Sequence, residues 1–452
     1  MNSPLSSINN FIKFLFLFLT FIGYVVLLYF IPRNNFYLTY TLIAFLFVLY
    51  YLIVKKYSYL FSLKLCISVA FILRFISLFN YPALSDDYFR FLWDGEMTIR
   101  HINPFAYTPD IFIAAHPDVY LKYLHDKMNS AEYYTVYPAI LQYIFASAAK
   151  LFPTNEHGGI IILKAFIFIS ESFTTYVLYK YCRFKNIDAR NILWYVFNPL
   201  VIIELSGNVH FEALLILFLI STLYYLEKNN LWLAALCWAC AVCSKLLPLM
   251  LAPIFLNYLG FARFTKVAII ALVSAGLLFL PFIDPTLLNI QYSVGKFYDL
   301  FEFNASFYYL FNWIAGAFTV KDISDYIAQF LGILSLLIIL LISFYKFRKT
   351  QLLTRSFLIF SIFFLCSTMV HPWYITTLIA FTTLINYRAP VIFSLLLPLS
   401  YFPYSLKIFN ENMYIIFIEY SLLFAYVFIE YKFPVLIKKY WNLPDNREIM
   451  KF

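Results

Sequence analysis

Long apolar segments alternate with short polar segments along the whole chain. Apolar segments of about 20 residues recur from end to end, and this is the length that a helix needs to cross a hydrocarbon core roughly 30 Å thick. We predict an all-α, polytopic transmembrane helical bundle of roughly 12–14 spans, with juxtamembrane helices in a long outer loop. The predicted spans lie near residues 11–31, 37–54, 62–80, 159–181, 190–205, 211–227, 231–244, 247–260, 266–282, 325–346, 354–370, 373–386, 389–405 and 413–432.

The composition excludes an ordinary soluble protein. Of the 452 residues, 63% are hydrophobic and 13% are charged, and the mean hydropathy is +0.77. No soluble domain or internal repeat stands apart from this pattern, so we expect residues 1–452 to form a single integral membrane domain. The first apolar segment is too long for a signal peptide and has no small-residue cleavage pattern, which predicts a retained span.

Basic residues predict the orientation and account for the net charge of +9. Loops rich in Lys and Arg stay in the cytoplasm, and Lys55-Lys56 and Lys346–Arg355 fall there together when the N-terminus is inside. No nucleic-acid partner is therefore needed to explain the charge. The same orientation places two long loops outside, at 81–135 and about 283–322, and leaves the tail at 433–452 inside.

The densest cluster of charge opens the first outer loop. Ser85 is a natural N-cap, which would place Asp86 and Asp87 in a first helical turn, where the helix dipole favours negative charge. At helical spacing Asp86, Arg90 and Asp94 share one face. One interpretation is a capped interfacial helix with i,i+4 ion pairs. The other is a functional carboxylate pair, since ionisable groups beside a bilayer are commonly functional.

Further polar residues gather at the predicted outer ends of spans. Each has a simple structural interpretation: Lys245 can extend its amine to the membrane surface, and His371 can cap a helix end. His210 and Glu212 can pair at a hairpin tip. Together, carboxylates, a lysine and histidines on one membrane face indicate a site for a lipid-linked anionic substrate. The set is Glu204, Asn208, His210, Glu212, Lys245, His371, Trp373 and Tyr374.

The six cysteines lie in or beside apolar segments, where a free cysteine behaves as a small hydrophobe. Cys237, Cys240 and Cys243 recur at every third residue. No histidine or further cysteine completes a tetrahedral set beside them. We therefore predict no metal at these cysteines.

A series of short motifs follows in a specific order over about residues 60 to 375. The motifs are Asp86-Asp87, Trp93-Asp94-Gly95, Asn103-Pro104-Phe105-Ala106-Tyr107, Tyr137-Pro138, Asn198-Pro199, Gly207-Asn208-Val209-His210-Phe211-Glu212, Ser244-Lys245-Leu246-Leu247-Pro248 and His371-Pro372-Trp373-Tyr374. In this order they resemble the C-type (GT-C) glycosyltransferases that use polyprenyl-phosphate sugars. The chain is most similar to bacterial mannosyltransferase-like membrane proteins and, more distantly, to GPI mannosyltransferase I. It departs from them in two ways: three predicted spans precede Asp86 where many relatives have one, and Ala139 stands where a second proline is common.

The resemblance implies inverting transfer of a hexose, with mannose favoured, from a polyprenyl-phosphate donor to a lipid or glycan acceptor. The site would lie on the non-cytoplasmic face of a bacterial inner or cell membrane. Asp86 would be the general base, and Asp87 would orient the acceptor or replace Asp86 as base. Arg90, Lys245 and His371 would hold the donor phosphate. The residues implied to bind substrate are Trp93, Asp94, Asn103, Tyr137, Asn208, His210, Glu212, Trp373 and Tyr374.

The resemblance implies no cofactor that the reaction must have. A divalent metal at Asp86 and Asp87 is compatible with the chemistry but not required, because the donor lipid carries a single phosphate. We expect no other cofactor.

Two other classes of protein share parts of this pattern. A lipid-linked glycan polymerase or ligase would use the same outer-face chemistry. A transporter or flippase would place its ionisable residues near the membrane midplane, on broken helices of repeated halves, whereas here the charges gather at one face.

Overall fold

The computed structural model describes residues 4–346 and 348–441. Within these ranges the chain is helical and has no strand apart from one β-bridge between Phe303 and Met369, so the predicted all-α fold is confirmed. Of the predicted tail at 433–452, residues 442–452 lie outside the described part.

The helices follow one another in this order: α1 Pro4–Phe30, α2 Phe36–Tyr51, α3 Leu63–Ile76, α4 Asp87–Ile99, α5 Pro109–Ala115, α6 Val119–Lys127, α7 Ala139–Leu151, α8 Glu156–Phe184, α9 Leu193–Val196, α10 Pro199–Val201, α11 Glu212–Glu227, α12 Leu231–Ser244, α13 Ala252–Leu259, α14 Phe261–Phe279, α15 Asn289–Leu300, α16 Phe307–Gly316, α17 Ser324–Phe344, α18 Leu352–Cys366, α19 Thr376–Phe381, α20 Ala389–Leu396, α21 Met413–Lys432 and α22 Pro434–Trp441. Two π-helical segments, Leu52–Lys56 and Ile202–Gly207, extend α2 and α10. The 3-10 segments are Ser58–Leu60, Ala189–Ile192, Leu247–Leu251, Leu280–Phe282, Pro285–Leu288, Lys349–Gln351, Pro372–Ile375 and Leu397–Ser405.

Seven helices of the described chain are long and apolar enough to cross a membrane by length and composition. They are Ile8–Phe30, Phe36–Lys56, Glu156–Phe184, Phe261–Phe282, Ser324–Phe344, Lys349–Cys366 and Met413–Lys432. Five shorter apolar helices lie at Ala139–Leu151, Leu231–Ser244, Leu247–Leu259, Pro372–Phe381 and Ala389–Ser405. Prolines account for part of the difference from the predicted 12–14 spans, because proline removes a helical hydrogen bond and shortens the regular helix.

The chain groups into two compact units. Unit 1 consists of Met1–Ala83, Leu178–Asn208 and His371–Phe452, and unit 2 of Leu84–Val177 and Val209–Val370. The aspartates of the first outer loop belong to unit 2.

Buried polar side chains connect separate segments of unit 1. Arg74 of α3 is fully buried, and its Nη1 donates to the backbone carbonyl oxygen of Val196 at 2.8 Å. The carboxylate of Glu430 in α21 accepts from the backbone nitrogens of Arg388, at 2.7 Å, and Ala389, at 3.1 Å. These bonds satisfy N–H groups at the start of α20 that no helical carbonyl can reach.

The packing of α4 on α7 positions the start of α4 in unit 2. A Cβ added at Gly95 would lie 2.2 Å from the carbonyl oxygen of Phe145, so glycine permits a backbone approach that a larger residue would prevent. The rings of Phe91 and Phe145 stack beside this contact, with centroids 4.7 Å apart and planes 8° apart. The close approach holds α4, and with it Asp87, in one position.

Candidate functional site

The two aspartates open helix α4. Asp86 occupies the N-cap position and the helix begins at Asp87, so the cap lies one residue later than the predicted cap at Ser85. The Ser85 hydroxyl still contributes, because its Oγ accepts a hydrogen bond from the Asp87 backbone nitrogen at 3.3 Å. Both carboxylates therefore stand where free N–H groups and the helix dipole favour negative charge.

Asp87 is half-buried and interacts with polar residues from other segments of unit 2. Its Oδ1 accepts a hydrogen bond from Nδ2 of Asn129 at 3.4 Å. Burial raises the pKa of Asp87, whereas His210 and the Asn129 hydrogen bond lower it and the carboxylates of Glu212 and Asp86 raise it. The fold thus brings His210 and Glu212 near the aspartate pair, although more than 100 residues separate them along the chain.

Lys245 follows α12 directly, and its Nζ forms an ion pair with Oε1 of Glu212. The lysine side chain is 32% exposed and the glutamate side chain is 6% exposed, so the pair reaches from solvent into the interior of unit 2. We refer to Asp86, Asp87, His210, Glu212 and Lys245 as the carboxylate cluster. Its members were all predicted as site residues from the sequence.

Arg90 and Asp94 form an ion pair in the interior. Nε of Arg90 donates to Oδ1 of Asp94 at 2.8 Å, and the two side chains are 3% and 0% exposed. Nη1 of Arg90 donates to the carbonyl oxygens of Ser130, at 3.0 Å, and Tyr133, at 2.8 Å. Arg90 therefore ties the segment after α6 to α4. The predicted contact of Arg90 with a donor phosphate stays a prediction.

Asp94 accepts further hydrogen bonds from the same part of unit 2. Its Oδ2 accepts from Oγ1 of Thr135 and from Nε2 of Gln142, the latter at 3.2 Å. Asp94 is fully buried, so these donors satisfy a carboxylate that water does not reach. Trp93 beside it is 1% exposed and stands edge-on to Phe112 with ring centroids 6.0 Å apart. The predicted roles of Trp93 and Asp94 in substrate binding stay predictions.

Asn103 and Tyr137 help to build the structure around the first outer loop. Nδ2 of Asn103 donates to the carbonyl oxygen of Phe282 at 3.1 Å and to Oδ2 of Asp284 at 2.7 Å, which joins the two predicted outer loops. The ring of Tyr137 stands edge-on to Phe91 with centroids 5.0 Å apart. Their predicted role in substrate binding stays a prediction.

The remaining predicted site residues lie in unit 1. The imidazole of His371 stacks on the indole of Trp373 with centroids 4.3 Å apart, and Tyr374 stands edge-on to His371 at 5.3 Å. Asn208 is buried and its Nδ2 donates to Oε1 of Glu204 at 3.4 Å. Their roles toward substrate stay predictions.

Sequence reasoning missed Asn129, Thr135 and Gln142. Asn129 and Thr135 lie in a loop and follow no helical or strand period, and Gln142 lies in the apolar helix α7, so nothing in the pattern connects them with the aspartates. For Asn129 and Thr135 the available signal was their place in the longest polar segment of an apolar chain.

The described residues contain no group of three or more His, Cys, Asp or Glu side chains arranged to hold a metal ion. Asp86 and Asp87 offer the carboxylate oxygens that Mg²⁺ prefers. The possible divalent metal at these two carboxylates stays a prediction.

These features define a class of protein: an integral membrane protein of apolar helices, in which two carboxylates at the start of α4 lie near an imidazole and a carboxylate–amine pair from other segments. Residues 37–260, close to half of the chain, match the family described as alpha-(1->6)-mannopyranosyltransferase, N-terminal domain. This match confirms the predicted resemblance to bacterial mannosyltransferase-like proteins and supports a mannosyl-transferring glycosyltransferase. The matched residues include every member of the carboxylate cluster. No match to the chain is found among curated proteins.

Proposed function

We propose that this chain transfers a mannosyl group from polyprenyl-phosphate mannose to a hydroxyl of a lipid or glycan acceptor, with inversion, on the non-cytoplasmic face of a bacterial membrane. One observation carries the proposal. Within the part of the chain that matches a mannosyltransferase family, Asp86 and Asp87 open α4 near His210 and the Glu212–Lys245 pair.

In the proposed reaction Asp86 is the general base. The acceptor hydroxyl gives its proton to the Asp86 carboxylate while its oxygen bonds to the anomeric carbon of the donor. The bond from that carbon to the phosphate oxygen breaks, and polyprenyl phosphate leaves with the bonding electrons. Attack from the face opposite the leaving group inverts the anomeric configuration.

The other members of the carboxylate cluster serve the same step. The leaving phosphate needs a cation rather than an acid, and Lys245 supplies that charge. Asp87, held by Asn129, orients the acceptor hydroxyl toward Asp86. The roles of His371, Trp373 and Tyr374 rest on the family resemblance alone.

The decisive experiment replaces Asp86 by asparagine in the full-length protein. Asparagine keeps the size and shape of aspartate, and the Asp86 side chain makes no capping hydrogen bond that the change could break, so Asp86→Asn should fold and insert normally. Loss of the base should lower the rate of mannosyl transfer by on the order of 10²–10⁴-fold in proteoliposomes that contain polyprenyl-phosphate mannose. Asp126→Asn, a change on the exposed side of α6, is the matched control and should keep its activity.

Two results would contradict the proposal. Wild-type turnover by a folded Asp86→Asn variant would exclude Asp86 as the base. Transfer from a water-soluble nucleotide sugar, without any lipid donor, would exclude the proposed donor class.

A further inference from the structure

The ion pair between Lys245 and Glu212 bears on how a donor could bind. In the proposed function, which this inference extends, Lys245 holds the donor phosphate. In the structure its amine already contacts Oε1 of Glu212, whose side chain is 6% exposed. An incoming phosphate therefore meets an amine that already has an anionic partner.

The charge of the carboxylate cluster also opposes an additional anion. When ionised, Asp86, Asp87 and Glu212 carry three negative charges, which outnumber the positive charge of Lys245 even with the charge that His210 adds when it is protonated. Burial strengthens the repulsion between like charges, because the interior screens charge less than water does. Arg90 offers little relief, since Asp94 already neutralises it.

We propose that Glu212 occupies the place of the donor phosphate on Lys245 until the donor binds, and that binding exchanges one anion for the other. Lys245 has one anionic partner before the exchange, the Glu212 carboxylate, and one after it, the donor phosphate. Glu212 acts through Lys245 and is thus a positioning residue: it keeps the amine directed toward the site and sets the affinity for a lipid-borne phosphate.

The fold offers the displaced carboxylate a second stabilising interaction. Glu212 is the first residue of α11, a helix of 16 residues. Free backbone N–H groups and the dipole at a helix start favour a negative charge even without a lysine partner. Glu212 can therefore leave Lys245 and remain ionised.

The inference is tested by phosphate binding rather than by transfer. The purified full-length protein in lipid nanodiscs is titrated with farnesyl phosphate, and with farnesol as the uncharged control. Glu212→Gln removes the competing charge, so we expect farnesyl phosphate to bind on the order of 10-fold more tightly, as for one close charge pair. Farnesol binding should not change.

A double-mutant cycle assigns the effect to Lys245. Lys245→Gln alone should weaken binding of farnesyl phosphate, and adding Glu212→Gln should then change it no further. If Glu212→Gln does not fold, Glu212→Asp withdraws the carboxylate by one methylene and should tighten binding to a smaller extent. Unchanged or weaker phosphate binding in the folded glutamate variant, or equal tightening toward farnesol, would overturn the inference.

Kinetics separate this role from a catalytic one. With polyprenyl-phosphate mannose as donor, Glu212→Gln should lower KM for the donor. A collapse of kcat at unchanged KM would make Glu212 a catalytic residue and overturn the exchange. Failure of the proposed function would show instead as full activity of Asp86→Asn, while the farnesyl phosphate titration would still report on Glu212.

Discussion

Nε of Arg90 donates to Oδ1 of Asp94 at 2.8 Å, one turn further along α4, and both side chains are buried. The pair joins the helix that begins with Asp87 to the segment that carries Asn129, because Arg90 also donates to two carbonyl oxygens of that segment. The ionic contact thus supports the carboxylate cluster without belonging to it.

We first predict that Asp94→Ala destabilises the protein by about 3–5 kcal/mol, because it leaves a buried guanidinium without its partner. The measurement is thermal unfolding in detergent. Asp126→Ala is the matched control, since Lys122 and Asp126 form an i,i+4 pair on α6 with side chains 56% and 52% exposed. An exposed pair contributes little, so equal losses in the two variants would contradict the structural role of Arg90 and Asp94.

The close contact of α4 with α7 gives a second prediction. Gly95→Ala should destabilise the protein by about 1–3 kcal/mol, because the new Cβ would meet the backbone of Phe145, which cannot move away as a side chain could. Gly276→Ala in α14 is the control: nothing lies within 4 Å of its new Cβ, and alanine favours a helix. Unfolding temperatures that fall in both variants, or in neither, would contradict the packing.

The raised pKa of Asp87 gives a prediction about pH. Burial disfavours the ionised carboxylate of Asp87. The ionised carboxylate therefore destabilises the folded protein, and this destabilisation is fully present above the raised pKa. The destabilisation disappears below the ordinary value of 3.8, where the group is protonated in the folded and unfolded states. Asp87→Asn should therefore unfold at a higher temperature than wild type at pH 8, and the difference should shrink toward pH 4.

Asp126 provides a control of opposite sign for the pH experiment. Hydrogen bonds from Lys122 and His125 lower the pKa of Asp126, so its ionised form stabilises the fold above the ordinary value and loses that effect as pH falls. Asp126→Asn should therefore unfold at a slightly lower temperature than wild type at pH 8. If Asp87→Asn raised the unfolding temperature by the same amount at every pH, the result would contradict the raised pKa of Asp87.

The predicted orientation of the chain is tested by cysteine labelling. Glu132 and Gln291 lie in the two predicted outer loops and Thr350 in a predicted cytoplasmic segment, and all three are exposed. A membrane-impermeant thiol reagent added outside should label Glu132→Cys and Gln291→Cys but not Thr350→Cys, because the basic clusters hold their loops inside. The wild-type protein gives the background, since four of its six cysteines are buried and the other two are half-buried.

The reverse labelling pattern would place the loop helix α4 on the cytoplasmic side. The proposed donor side would then be wrong, and a water-soluble nucleotide sugar would become the better donor hypothesis.

The all-α membrane architecture and the members of the carboxylate cluster could be inferred from the sequence. Runs of about 20 apolar residues require helices, because lipid leaves backbone groups no other hydrogen-bond partner. Asp86, Asp87 and Lys245 were conspicuous for a related reason, since charge is rare in a chain with 13% charged residues and is costly near a bilayer. The order of the short motifs along the chain then indicated the class of reaction, which is the transfer of a sugar.

Tertiary packing decided which of the predicted site residues contact one another and which stabilise the surrounding helices. Spacing on α4 placed Asp86, Arg90 and Asp94 on one face, but only the approach of the segment after α6 turns Arg90 and Asp94 into an interior pair. The contact of Glu212 with Lys245 joins residues 33 positions apart, and that of Asp87 with Asn129 joins residues 42 apart. No helical period relates residues so distant, because their contacts depend on how separate helices pack against one another.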